Sequence, residues 1–131
     1  MVSNLKVLLD THFVFWATMA TSQLPQASRQ LLERGTDEFF VSLASAWEIA
    51  IKVGLGKWPE ARGLIDDFEE HVSRTGFAIL PITLDHVRVA GLFQVPHRDP
   101  FDRLLAAQAI DQNMQLLSVD PAFAQFNCNV V

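Results

Sequence analysis

Short apolar runs alternate with stretches of helical spacing along this chain, and Gly and Pro punctuate the alternation. Asn4-Leu5-Lys6-Val7-Leu8-Leu9 reads as a buried first strand, and Thr11 to Met19 follows with helix-compatible apolar spacing. Pro25 suits the first turn of a second helix that runs through Leu31-Leu32-Glu33-Arg34 and stops at Gly35. Phe39-Phe40-Val41 is a second strand, and Ser42 or Ser45 caps a helix from about Ala44 to Val53, ended by Gly54 and Gly56. Leu64, Phe68 and Val72 recur every fourth residue with Asp66, Asp67, Glu69 and Glu70 facing away, which predicts one amphipathic helix closed by Gly76. Phe77-Ala78-Ile79-Leu80 is a third strand, Thr83 caps a short helix up to Ala90, and Leu92 to Arg98 is a loop. Asp99-Pro100 then opens a helix carrying Leu104, Leu105, Ala109 and Ile110. Gln115 to Val119 is a fourth strand, and Asn127 to Val131 is a candidate fifth. Strands alternating with helices imply parallel pairing under helical cover. The expected fold is α/β, a three-layer α/β/α domain around a mainly parallel sheet of four to five strands.

Composition supports that picture. A chain of 131 residues fits one domain spanning 1–131 and buries roughly two-thirds of its unfolded surface. It is 50% hydrophobic, with ten Phe and no Tyr, and its mean hydropathy is +0.19. This apolar content either fills the core or leaves a surface for a partner or self-association. One cysteine, Cys128, excludes an internal disulfide framework and suits a reducing cytosol. Val7-Leu8-Leu9 is too short for a signal-peptide core, and no apolar stretch approaches a membrane span. A cytoplasmic protein without membrane contact is expected. The net charge of -5 argues against nucleic-acid binding through a broad basic surface. It leaves a carboxylate-rich nuclease open, because bound metal restores local positive potential.

Chemistry enters with four acids placed where apolar runs give way to helical pattern: Asp10, Glu48, Asp102 and Asp120. In an open α/β sheet the carboxyl ends of the strands share one edge, and ligands bind there. Acids far apart in sequence then meet, and their mutual repulsion calls for a divalent cation. Each also has a structural explanation. Asp10 and Asp120 stand at N-cap positions, the latter directly before Pro121. Asp99 is the better N-cap of its helix, with Pro100 at N1, and Asp102 at N3 resembles the acidic member of a capping box. Glu48 resists such an account: its neighbours Ala44, Trp47, Ala50 and Ile51 are apolar, and a carboxylate among them is rarely buried without a partner or a metal. Four coincidences favour a site over four independent caps. Hard carboxylate ligands suit Mg²⁺ or Mn²⁺ and metal-assisted phosphoryl transfer, with one ion activating water and a second ~4 Å away steadying the leaving oxygen.

Four segments carry a resemblance. Leu8-Leu9-Asp10-Thr11-His12, Ala44-Ser45-Ala46-Trp47-Glu48-Ile49-Ala50-Ile51-Lys52, His97 to Ala109 and Leu117-Ser118-Val119-Asp120-Pro121-Ala122-Phe123 resemble, in order, the four motifs of PIN-domain ribonucleases. Within that family they look most like the VapC-type toxins of type II toxin–antitoxin pairs. The likeness covers essentially the whole chain; its third motif is the most specific and its fourth the weakest. It implies an Mg²⁺- or Mn²⁺-dependent endoribonuclease with Asp10, Glu48 and Asp102 as main metal ligands and Asp120 acting through water or at a second ion. It further implies that Thr11 orients the first carboxylate and that Ser118 supports the site without touching metal. A cognate antitoxin, an RNA substrate, a homodimer and a larger toxin–antitoxin assembly come from the same resemblance. Phe13, Val14, Phe15 and Trp16 are bulkier than the family's usual small aliphatics, which bears on partner geometry rather than on catalysis. Two other roles are compatible with the motifs: an RNA-processing nuclease without an antitoxin, and a catalytically silent PIN-like binding module. All four acids are present, which counts against the latter.

Lys52, Arg98, Arg103, His97 and Lys57 are the candidate phosphate contacts by sequence proximity, with Arg103 the strongest because it adjoins Asp102. Solvated surface charge is the default for any one of them. His12 and His97 suit hydrogen bonding better than hard-metal ligation, and ordinary structural roles are about equally expected. Trp16 and Trp47 read as core or interface, whereas Trp58, in a loop before Pro59, is the ring to test for base or partner contact. Cys128 reads as packing. A signalling receiver domain also gathers acids at strand ends, but Val41-Ser42 and Leu80-Pro81 supply no phosphoacceptor Asp, and no Lys follows Lys57.

Overall fold

Residues Lys6–Leu9 form β1, whose Val7, Leu8 and Leu9 are all fully buried, as an interior strand covered on both faces requires. The computed structural model describes residues 4–131. After β1 come α1 (Thr11–Met19), α2 (Gln26–Glu33), β2 (Glu38–Ser42), α3 (Leu43–Gly54), α4 (Arg62–Asp66) and α5 (Phe68–Arg74). The chain continues with β3 (Ala78–Leu80), α6 (Leu84–Leu92), α7 (Pro100–Asp111) and β4 (Gln115–Leu117). Short 3-10 turns cover Thr21–Gln23, Pro59–Ala61 and Pro121–Phe126. The sheet order is β3-β2-β1-β4, all parallel, with Leu8 opposite both Phe40 and Leu116. Alternation along β1 assigns the two cores. Val7 and Leu9 pack with Phe13, Val41, Ile49, Leu64, Phe68 and Val72, while Leu8 packs with Leu80, Leu104, Leu105, Leu116 and Phe123. This is the three-layer α/β/α arrangement anticipated above.

Three expectations are corrected. The predicted single helix through Leu64, Phe68 and Val72 is two helices, broken at Asp67, whose backbone lies outside the helical region at φ -132°, ψ 48°. A spacing of four advances roughly 40° per step around a straight helix, so the stripe drifts off the core. The break at Asp67, a weak helix former, re-aims the second piece, and all three apolar residues stay buried. The candidate fifth strand contributes only a parallel bridge between Leu116 and Val130. Pro25 is the N-cap of α2 rather than its first helical residue. Gly35 and Gly76 do end their helices as expected, with φ of 75° and 80° that only glycine adopts freely.

The ends of β2 and β3 are tied to α6 and α7 by a polar thread. Ser42 donates to Gln108 Oε1, Gln108 Nε2 donates to the Pro81 carbonyl, and the Thr83 N–H donates to His86 Nδ1 in a capping box. Among the described residues no helix is long and apolar enough to cross a membrane.

Candidate metal centre at the sheet edge

Asp10 leaves the C-terminal end of β1 and caps α1, its Oδ1 accepting the Phe13 N–H at 3.0 Å. The cap and the site are thus the same side chain. Asp10 is only 8% exposed, and the Ser118 hydroxyl donates to its Oδ2. Burial pushes its carboxyl above the ordinary range; the Ser118 and Phe13 bonds and the nearby His12 act in the opposite direction, and Glu48 adds repulsion. Ser118 follows β4 and also accepts the Asp120 N–H at 3.0 Å, so one hydroxyl links the first and fourth acids.

Glu48 lies on α3 and is 7% exposed. Thr11 Oγ1 donates to its Oε1 at 2.6 Å, and Lys52 Nζ, one turn on, donates to its Oε2 at 2.8 Å. Thr11 also shares a 3.0 Å hydrogen bond with Ser45 Oγ. The hydroxyl after the first acid therefore orients the second acid, and Ser118 orients the first. This differs from the role that the resemblance implied for Thr11. The i,i+4 spacing of Glu48 and Lys52 was a readable signal for their pairing.

Asp102 stands in the first turn of α7, its N–H and that of Phe101 both donating to Asp99 Oδ1. Asp99 is the N-cap, as the sequence predicts. Asp102 Oδ2 meets His97 Nε2 at 2.7 Å. Burial raises the Asp102 carboxyl from 3.8 to about 6; Asp99 and Glu48 push the same way, while His97 opposes them. Asp120 is exposed and caps the Pro121–Phe126 turn through the Ala122 N–H at 2.9 Å.

All four acids line one cleft of about 420 Å³, together with Asp99, His12, Trp16 and Lys52. A hollow of about 520 Å³ beside α1 and α2 is larger, but its lining includes one carboxylate, Glu33. Among the described residues no three His, Cys, Asp or Glu side chains stand close enough to grip an ion as they are. The donor set nevertheless fits a hard divalent cation: five carboxylates, the four acids and Asp99, line one space, and Glu48 raises both Asp10 and Asp102 by charge. Without such a cation Glu48 is held by Lys52, and Asp102 by His97.

The candidate phosphate contacts separate. Lys52 lines the cleft and His97 touches Asp102, but Arg98 and Lys57 are exposed and do not line it. Arg103, the strongest by sequence, is corrected. Its guanidinium donates to the carbonyls of Ala90, Gly91, Phe93, Val95 and His97, so none of its five N–H groups is left for a phosphate. Its sequence neighbour pointed to the acid; only the tertiary fold shows the carbonyl cage. Trp47, read as core or interface, is 52% exposed and meets Phe101 edge-on with ring centroids 4.9 Å apart.

Known proteins share this architecture. The VapBC2 complex from Rickettsia felis bound to a promoter DNA fragment contains a similar chain at 16% identity, with 96% of both chains covered and a TM-score of 0.67. DNA-bound VapBC from Salmonella typhimurium gives 15%, 96% of both and 0.66. FitAcB from Neisseria gonorrhoeae gives 18%, 95% of both and 0.60. At such identities the likeness is one of fold. None of the curated proteins compared is similar enough in sequence to count as a relative. The PIN domain model matches residues 7–127, from β1 through the turn after Asp120, and by that match the chain belongs to the PIN domain family.

Proposed function

We propose that this chain is the toxin of a type II toxin–antitoxin pair, acting as an Mg²⁺- or Mn²⁺-dependent endoribonuclease in the cytoplasm. One observation carries the reading: Asp10, Glu48, Asp102 and Asp120, up to 110 positions apart, line a single cleft in a PIN domain. Asp10, Glu48 and Asp102 would hold the cation, with Asp120 at the rim. When bound, such an ion lowers the pKa of a water and stabilises charge building on the phosphate. The chain's own part is to keep the carboxylates in place. Ser118 and the Phe13 N–H restrain Asp10, Thr11 restrains Glu48, and His97 restrains Asp102. Lys52, paired with Glu48 at 2.8 Å, is the cation placed to meet a phosphate oxygen, and a metal held by Glu48 would free it for that contact.

The antitoxin role takes support from the VapBC and FitAB complexes that share the fold. A homodimer takes support from Leu43, Trp47 and Ile51 on α3 and Leu55 at its C-cap, which recur every fourth residue and are all exposed. The test is direct. Purified protein is expected to cleave single-stranded RNA with Mg²⁺ or Mn²⁺ and to stop on addition of EDTA. Asp102→Asn is expected to abolish cleavage and cellular toxicity while the fold survives. Metal-independent cleavage, or full activity in Asp102→Asn, would overturn the reading.

A further inference from the structure

We propose that His12, Trp16 and Trp58 form a stacking wall for one nucleobase of the RNA strand engaged at the acidic cleft. This rests on the ribonuclease reading and names how that site gains affinity for RNA. The His12 ring lies 5.8 Å from Trp16 and 5.3 Å from Trp58, so the three rings make a continuous row. His12 and Trp16 line the cleft itself. Trp58 backs them, anchored 5.1 Å from buried Phe15. Lys52 Nζ joins wall to floor, 5.9 Å from the Trp58 ring and 2.8 Å from Glu48.

Placement along the chain is equally specific. His12 stands two residues after Asp10 and next to Thr11, in the first turn of α1, so the wall begins beside the first carboxylate. His12 is exposed, while Trp16 and Trp58 pack against the core with one side and stay only half-buried. Charge supplies the need. The chain carries -5, five carboxylates line the cleft, and Arg103 is consumed by carbonyls, so phosphate contacts are scarce. An uncharged base stacking on this row of rings adds affinity that does not depend on cations, and it tolerates sequence because every base has a π-face.

The experiment measures binding in the Asp102→Asn background, where the strand is not consumed. Fluorescence anisotropy compares a labelled decauridylate with a fully abasic ribose–phosphate decamer of equal charge. The base-bearing strand is expected to bind about tenfold tighter, as one stacked base provides. His12→Ala and Trp58→Leu are each expected to bring that ratio close to one, and Trp58→Phe to keep most of it. His12 is exposed, so His12→Ala decides the matter should Trp58→Leu fail to fold. Calorimetric Mn²⁺ affinity of His12→Ala, in a chain with Asp102 intact, is expected to match the parent. An unchanged ratio in His12→Ala, equal binding of the two strands by the parent, or a loss shared by both strands would overturn the proposal. So would variants that lose only affinity for a partner protein. Failure of the ribonuclease reading shows separately, as absence of cleavage with Asp102 intact and Mn²⁺ present.

Discussion

Thr11, Ser118 and Asp102 decide what each carboxylate can do. Thr11 is buried, and its hydroxyl serves Glu48 Oε1 and Ser45 at once. Replacing it by the near-isosteric Val leaves a buried carboxylate oxygen unbonded, which costs about 1–3 kcal/mol. Thr11→Val is therefore expected to lower the urea midpoint and to weaken Mn²⁺ affinity by about 10–100-fold in calorimetry, as loss of a ligand's supporting bond does. Unaltered affinity would show that Glu48 is positioned by Lys52 alone. Asp102 sets the pH response. Its carboxyl rises from 3.8 to about 6 on folding, with burial as the main cause. The folded chain therefore binds this proton more tightly than the unfolded chain. The stability this group contributes is complete below 3.8 and is lost as pH rises through about 6. Asp10, also raised by burial, adds in the same direction. In EDTA, the melting temperature of the protein is expected to fall across that window, and Asp102→Asn to flatten most of the fall. A rise over the same range would contradict the buried setting of these acids.

Among the elements, α6, α7 and the segment between them show how a helix end becomes part of a site. The last turn of α6 leaves carbonyls without helical partners, and Arg103 from α7 collects those of Ala90 and Gly91 along with three more from the connecting segment. One of these is His97, whose ring meets Asp102. Arg103→Gln removes most of these bonds at once and is expected to cost at least about 2 kcal/mol in chemical denaturation. A phosphate contact would leave stability unchanged, so the measurement separates the two roles. The sequence showed Arg103 beside Asp102 but not the carbonyls gathered around it. The same limit applies to Asp67: spacing marked the buried face of Leu64, Phe68 and Val72 correctly but not the bend that serves it. Caps were more legible. Asp10, Ser42, Thr83, Asp99 and Asp120 all accept backbone N–H groups where the sequence places helix starts, because capping depends on a few adjacent residues.

At the scale of the molecule, parallel pairing is what brings the acids together. β1 and β4 are neighbours, so Asp10 and Ser118 meet across 108 positions of sequence. A cation shared by these acids would bind the folded chain only, since the unfolded chain scatters them. Excess Mn²⁺ is therefore expected to raise the melting temperature, by about 2.7 kcal/mol of stability at a hundredfold excess over the dissociation constant. EDTA should cancel the gain, and Asp10→Asn should remove most of it; no shift in the parent protein would count against the metal centre. Apolar periodicity, helix caps and the alternation of strand and helix belong to local sequence, because each depends on residues a few positions apart. That local information was enough to predict the fold class, the parallel sheet and the meeting of Asp10, Glu48, Asp102 and Asp120 in one cleft. Which hydroxyl holds which carboxylate, what Arg103 bonds, which tryptophan faces solvent and how far the C-terminal segment joins the sheet were decided only in three dimensions. Each of those depends on a partner brought near by the whole chain, and no spacing along the sequence measures that distance.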